Sequence, residues 1–227
     1  MNNYLNKNYK YWQSGYFAPN VESYIFRFYA YFLKTNKITG RKKILDFGCG
    51  QGAAVNYFNA LGYNAVGVDI SKKDIGSAKK NYKKYKNKFY LVNPDPAKEN
   101  YYGFKSNIDV VVAGQALYFF DDEDLQICLK KIKDSMKVGG IIYATMQSNK
   151  HYYFDNSKKS KNGLYEVRLK NRRTKVDSHF INYTFSKKHL LKKFKMFKPL
   201  EIGYYDIGLT ESEPQTHHYT FIGRKER

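Results

Sequence analysis

Hydrophobic and polar positions fall in blocks that switch repeatedly between strand-like and helix-like spacing. Ile44, Leu45 and Phe47 form a short apolar run of the kind a buried parallel strand needs, and Gly48, Gly50 and Gly52 follow at every second position. Ala53 to Phe58 then starts a helical pattern, and Asn64 to Asp69 returns to strand. Upstream, apolar residues at 21, 24, 25, 28, 29, 32 and 33 have the spacing of an amphipathic helix over Val21–Leu33. Residues 1–19 carry many aromatics in a polar background and no clear period, as in a segment that covers a surface. Downstream, Ser71 can cap a helix through Lys84 with Ile75, Ala78 and Tyr82 on its buried side. Lys88–Val92 reads as a strand stopped by Asn93-Pro94-Asp95-Pro96, and Ser106–Ala113 is the most strand-like run in the chain. Asp121 to Asp124 place negative charge on the first turn of a helix to about Met136; Gly139 and Gly140 end it, and Ile141–Met146 is the fifth strand. A helix capped by Ser186 and two strands, Leu200–Ile207 and Thr216–Arg224, close the chain. The alternation predicts an α/β domain with a largely parallel sheet.

Composition narrows this picture. A length of 227 residues suits one domain spanning 1–227, with residues 1–35 as an N-terminal lid and helix and 147–185 as an insertion on the substrate side. No apolar run approaches the ~20 residues that span a bilayer, and the polar start lacks a signal peptide's apolar segment, so a cytoplasmic protein is expected. Two cysteines, Cys49 and Cys128, supply neither a disulfide framework nor a zinc site, and no metal is expected. The net charge of +20 would suit a nucleic-acid partner, but lysine outnumbers arginine 33 to 7, which favours codon bias over phosphate reading. A small anionic substrate is the preferred partner, with nucleic acid kept as a lesser one.

The chemistry centres on Lys43 to Ala53. Gly48, Gly50 and Ala53 fit the dinucleotide pattern G-x-G-x-x-G/A, while Asp46-Phe47-Gly48-Cys49-Gly50-Gln51-Gly52 fits an acidic D-x-G-x-G-x-G loop. A carboxylate two positions before the first glycine sits badly beside a pyrophosphate and well beside a cation. Seventeen residues past Gly52, Asp69 ends the second strand where it can accept from ribose hydroxyls. Ile44 to Gly52 with Asp69 resembles the first two motifs of the class I S-adenosylmethionine (SAM)-dependent methyltransferases, and the order of motifs to residue 146 is similar throughout. The resemblance implies a Rossmann-like sandwich with a seven-stranded sheet in the order 3-2-1-4-5-7-6. It implies SAM as cofactor and S-adenosylhomocysteine (SAH) as product, held by Asp46, Gly48, Gly50, Asp69, Ile70, Asp95, Gln115 and Ala116.

Acceptor chemistry is read less directly. Methyl transfer needs mainly a nucleophile held near attack distance and water excluded. Tyr118, just past the fourth strand, and His151, just past the fifth, are the expected catalytic contacts; His217 and His218 point to opposite faces of a strand and make a poor metal pair. Tyr11, Trp12 and Tyr16 are expected lid residues, and Arg168, Arg172 and Arg173 a cationic clamp for the acceptor. Tyr11 to Phe17 together with the acidic glycine loop is similar to bacterial capsule-cluster methyltransferases of O-methyl phosphoramidate synthesis, which implies an oxygen acceptor on an anionic phosphoramidate or a nucleotide-linked intermediate. An RNA methyltransferase and a catalytically inactive partner-binding protein stay as alternatives, as do monomer and homodimer.

Overall fold

The computed structural model describes residues 3–13, 20–169, 178–208 and 210–227. Helix α1 (Asn3–Gln13) is followed by α2 (Ser23–Phe28), which runs on through a π turn, Tyr29–Leu33. Then come β1 (Lys43–Phe47), α3 (Ala53–Ala60), β2 (Asn64–Asp69), α4 (Lys72–Asn81), β3 (Phe89–Leu91), β4 (Ile108–Ala113), α5 (Asp122–Ser135) and β5 (Met136–Gln147). Three short strands, β6 (Ser157–Lys159), β7 (Tyr165–Arg168) and β8 (Ser178–Ile181), precede α6 (Lys187–Lys193), β9 (Lys198–Tyr205) and β10 (His218–Arg224).

The main sheet has seven strands in the order β3-β2-β1-β4-β5-β10-β9, with β10 antiparallel to both β5 and β9. The Rossmann-like class is therefore as expected. The strand order departs from the expected numbering only because β6, β7 and β8 form a separate antiparallel sheet between strand five and the closing pair. Strand period explains the layers. Ile44, Ala65, Val110 and Val112 face α2, α3 and α4 on one side, while Leu45, Val66, Val68 and Val111 face α5 on the other. Leu125, Leu129 and Ile132 of α5 are fully buried there, worth about 2 kcal/mol each by area removed from water.

Caps behave as their chemistry requires. Ser71 Oγ accepts from the Asp74 N–H at 3.2 Å, Asp121 Oδ1 from Glu123 and Asp124 N–H at 3.0 and 2.8 Å, and Ser186 Oγ from His189 N–H at 3.1 Å. The aperiodic start was a misreading. Residues 3–13 are helical because α1 lies on β8 and buries Tyr4, Leu5 and the polar Asn8, whose presence on the inner face hides the period. Asn8 Nδ2 donates to the Phe119 and Phe180 carbonyls, both at 3.0 Å, and its Oδ1 accepts from Phe180 N–H at 2.7 Å, so it takes the place of a missing sheet neighbour.

Candidate functional site

A cavity of about 230 Å³ opens beyond the carboxyl ends of β1, β2 and β4, the end of an open α/β sheet at which ligands bind. The loop after β1 forms its floor. Gly48, Gly50 and Gly52 all have positive φ, at 76°, 49° and 88°, and Gly52 is the N-cap of α3. A Cβ on Gly48 would stand 2.5 Å from that of Ala116, so glycine there also sets how closely the two loops approach. Gly48 and Cys49 N–H donate to the Val68 carbonyl at 2.9 and 3.0 Å, which pins the loop to β2.

Asp69 is less free than a pure ribose acceptor would be. Its Oδ2 accepts from Gly50 N–H and its Oδ1 from Ser71 N–H, both at 2.8 Å, and the Ile70 N–H also stabilises the carboxylate. Burial raises Asp69 to about 6 against the pull of these donors. Asp46 differs. It is buried, lines the cavity, accepts no hydrogen bond among the described residues, and is raised to about 7 by burial and by the neighbouring Asp69. Such a carboxylate is at ease only with a cation beside it.

The opposite wall follows β4. Gly114, Gln115 and Ala116 line the cavity, and Gln115 takes a φ of 54°, a strained value for a residue with a Cβ. Two bonds hold it there: its N–H donates to Thr145 Oγ1 at 2.7 Å and its Nε2 to the Tyr205 hydroxyl at 3.1 Å. Tyr205 is the middle ring of a stack, 5.0 Å from Tyr24 on one face and 4.9 Å from His218 on the other. Tyr24 and Glu22, at the start of α2, complete the wall, and burial raises the Glu22 carboxyl above its ordinary value.

The residues expected to hold a cofactor are mostly gathered here: Asp46, Gly48, Gly50, Asp69, Ile70, Gln115 and Ala116 line one cavity. Asp95 does not. Its Oδ1 accepts from Ala97 N–H at 3.0 Å, capping the turn Pro96–Lys98, while Val92 and Pro94 line the cavity in its stead. Tyr118 and His151, expected as catalytic contacts, are both buried away from the lining. His151 stacks on Tyr152 at 4.8 Å, meets His218 edge-on at 5.5 Å and accepts from Tyr153 N–H at 3.1 Å. Burial and the surrounding histidines push it down to about 3, which leaves it neutral and a weak base. Arg168 pairs with Glu166 at 2.8 Å along β7 instead of facing the cavity. Tyr16, Arg172 and Arg173 lie outside the described residues, as do the side chains of Tyr11 and Trp12. Sequence reasoning missed Glu22, Tyr24, Thr145 and Tyr205; only the first two had a signal, at the entry to a periodic helix. Among the described residues no cluster of His, Cys, Asp or Glu could hold a metal, and no helix is long and apolar enough to cross a membrane.

Residues 45–144 match the family described as a methyltransferase domain. The chain is 34% identical over 116 residues to the ubiquinone biosynthesis O-methyltransferase of Pelagibacter ubique, covering 49% of this chain and 45% of that protein. The chain thus matches less than half of that relative's length. Among solved structures, a SAM-dependent methyltransferase from Methanosarcina mazei superposes with a TM-score of 0.68 at 19% identity, over 86% of this chain and 98% of the other. The magnesium protoporphyrin IX methyltransferase of Synechocystis, solved with bound SAM, gives 0.57 at 13% identity, over 100% and 86%. The fold is that of the SAM-dependent methyltransferases, and SAM is the cofactor of that fold. The cavity fits it: a buried carboxylate without a hydrogen-bond partner among the described residues suits the cationic methionine end, and Gly48 and Gly50 present bare backbone beside it.

Proposed function

We propose that this chain, whose residues 45–144 match a methyltransferase domain, transfers the methyl group of SAM to a small organic acceptor. The observation that carries the reading is Asp46, a buried carboxylate that lines the cavity and accepts no hydrogen bond among the described residues. Bound in this cavity, SAM supplies a methyl carbon made electrophilic by a positively charged sulfur. Asp46 holds the cationic amino acid end; Asp69, already fixed by the Gly50 and Ser71 N–H groups, accepts from ribose hydroxyls. Ile70, Val92 and Pro94 offer apolar contact to a purine. Gln115, held by Thr145 and Tyr205, fixes the wall past which an acceptor must approach, and Tyr24, Ile25, Phe119 and Phe120 exclude water from it.

The finer expectation, an anionic phosphoramidate or nucleotide-linked acceptor for capsule modification, draws no support from the described cavity. Its expected clamp rests on Arg172 and Arg173, outside the described residues, and on Arg168, which is paired with Glu166. The supporting test is turnover of SAM to SAH across a panel of small oxygen and nitrogen acceptors, with Asp69→Ala as control. Turnover with one acceptor class, lost in the variant, is expected. Equal turnover by Asp69→Ala, or none by the wild type with any acceptor, would contradict the reading.

A further inference from the structure

On a chain in which 40 of 227 residues are lysine or arginine, no lysine, arginine or histidine among the described residues lines the cavity. Four carboxylates do: Asp46, Asp69, Asp74 and Glu22. Three of them are accounted for. Asp46 faces the cofactor's cation, Asp69 holds the glycine loop, and Asp74 accepts from Gln51 Nε2 at 3.1 Å. Glu22 is not. It begins α2 without capping it through its side chain, it makes no ion pair among the described residues, and its charge acts on the Tyr24 and Tyr205 phenols. Those two rings stack and the Tyr205 hydroxyl accepts from Gln115, so Glu22 belongs with Tyr24 and Gln115, the wall past which an acceptor approaches in the reading above.

We propose that the acceptor is a small amine with an apolar body, bound as its ammonium form against Glu22 and the wall of Tyr24 and Phe119. This rests on the methyltransferase reading above and deepens it. Among the described residues an anion entering the cavity meets only negative charge, whereas an ammonium gains an ion pair in a partly desolvated site, where charge pairing is strongest. The ammonium first gives a proton to the Glu22 carboxylate, whose burial makes it a better acceptor of one. The freed nitrogen lone pair then forms the N–C bond as the C–S bond breaks, and the electrons of that bond stay on sulfur.

The test titrates phenethylamine, 2-phenylethanol and 3-phenylpropionate by calorimetry into protein saturated with SAH, for the wild type, Glu22→Gln and Glu22→Lys. The amine is expected to bind at least tenfold tighter than the carboxylate; Glu22→Gln removes that preference and Glu22→Lys reverses it. Equal or tighter binding of 3-phenylpropionate by the wild type, an amine preference that survives both substitutions, or no binding of any of the three would overturn the proposal. Failure of SAH itself to bind would sink the cofactor reading, and this proposal with it.

Discussion

At Asp46 the cost of burial and the gain from a ligand meet in one titration. The carboxylate stands at about 7 without a cation beside it, and a bound ammonium or sulfonium requires the ionised form. Affinity for SAH should therefore be flat above pH 8 and fall about tenfold per pH unit below about 7. Asp46→Asn should bind more weakly at every pH and lose that slope; a wild-type affinity constant from pH 8 to pH 5.5 would refute this role. Gly48 and Gly50 separate stability from binding in a similar way. Gly48→Ala drives a methyl group to 2.5 Å from Ala116 Cβ at a φ of 76°, and should cost about 2 kcal/mol or more in a denaturant melt. Gly50→Ala meets nothing within 4 Å, so it should cost about 1 kcal/mol in stability while its methyl group, facing the cavity, weakens SAH binding. That these residues meet at one cavity was legible in the sequence because a glycine at positive φ and a carboxylate two positions before it leave a fixed spacing. Asp95 lies outside the lining because the same residue type also caps turns, and here it caps one.

Elements were legible in proportion to how regularly they bury apolar residues. β1, β2, β4 and β5 lie within the sheet, and their runs of Val, Ile and Leu read as strand without help. Helix α1 was not legible, since its inner face carries Asn8, and the three short strands β6, β7 and β8 were read as one insertion since each is only three or four residues long. Asn8 nonetheless joins α1 to both β8 and the loop after β4, which carries Phe119 and Phe120 into the cavity wall. Asn8→Ala strands three polar backbone groups and should lower stability by about 2–3 kcal/mol. Thermal melting with and without SAH checks it. The account expects a lower Tm in both states, and an unchanged Tm would mean that α1 is not part of the cooperative fold.

The whole molecule brings together groups that the sequence keeps far apart. His151, His179 and His218 come from three regions, and burial lowers them to about 3, 4 and 4. Each is neutral when folded, so its contribution is present above the unfolded value of 6.5 and is lost as pH falls below it. Asp46 and Asp69, raised to about 7 and 6, act with the opposite sign and take up protons in the folded state as pH falls. Between pH 6 and 4 these histidines, with His189 and His217 lowered in the same way, outnumber Asp46, Asp69, Glu22 and Asp124, all raised, so stability should fall as pH falls. Denaturant melts at pH 6, 5 and 4 read the slope directly, and rising stability as pH falls over that range would contradict it. His151, expected as a catalytic contact from its position after the fifth strand, is buried in this group and away from the cavity lining, and no spacing in the sequence could have signalled their meeting.

The most direct test of the account is calorimetric titration of the wild type and Asp69→Ala with SAH at pH 8. The account predicts one site of micromolar affinity in the wild type, lost in the variant, because Asp69 fixes Gly50 and is proposed to accept from the ribose. A wild type that does not bind SAH, or a variant that binds it equally well, would contradict the claim that this cavity is the cofactor site.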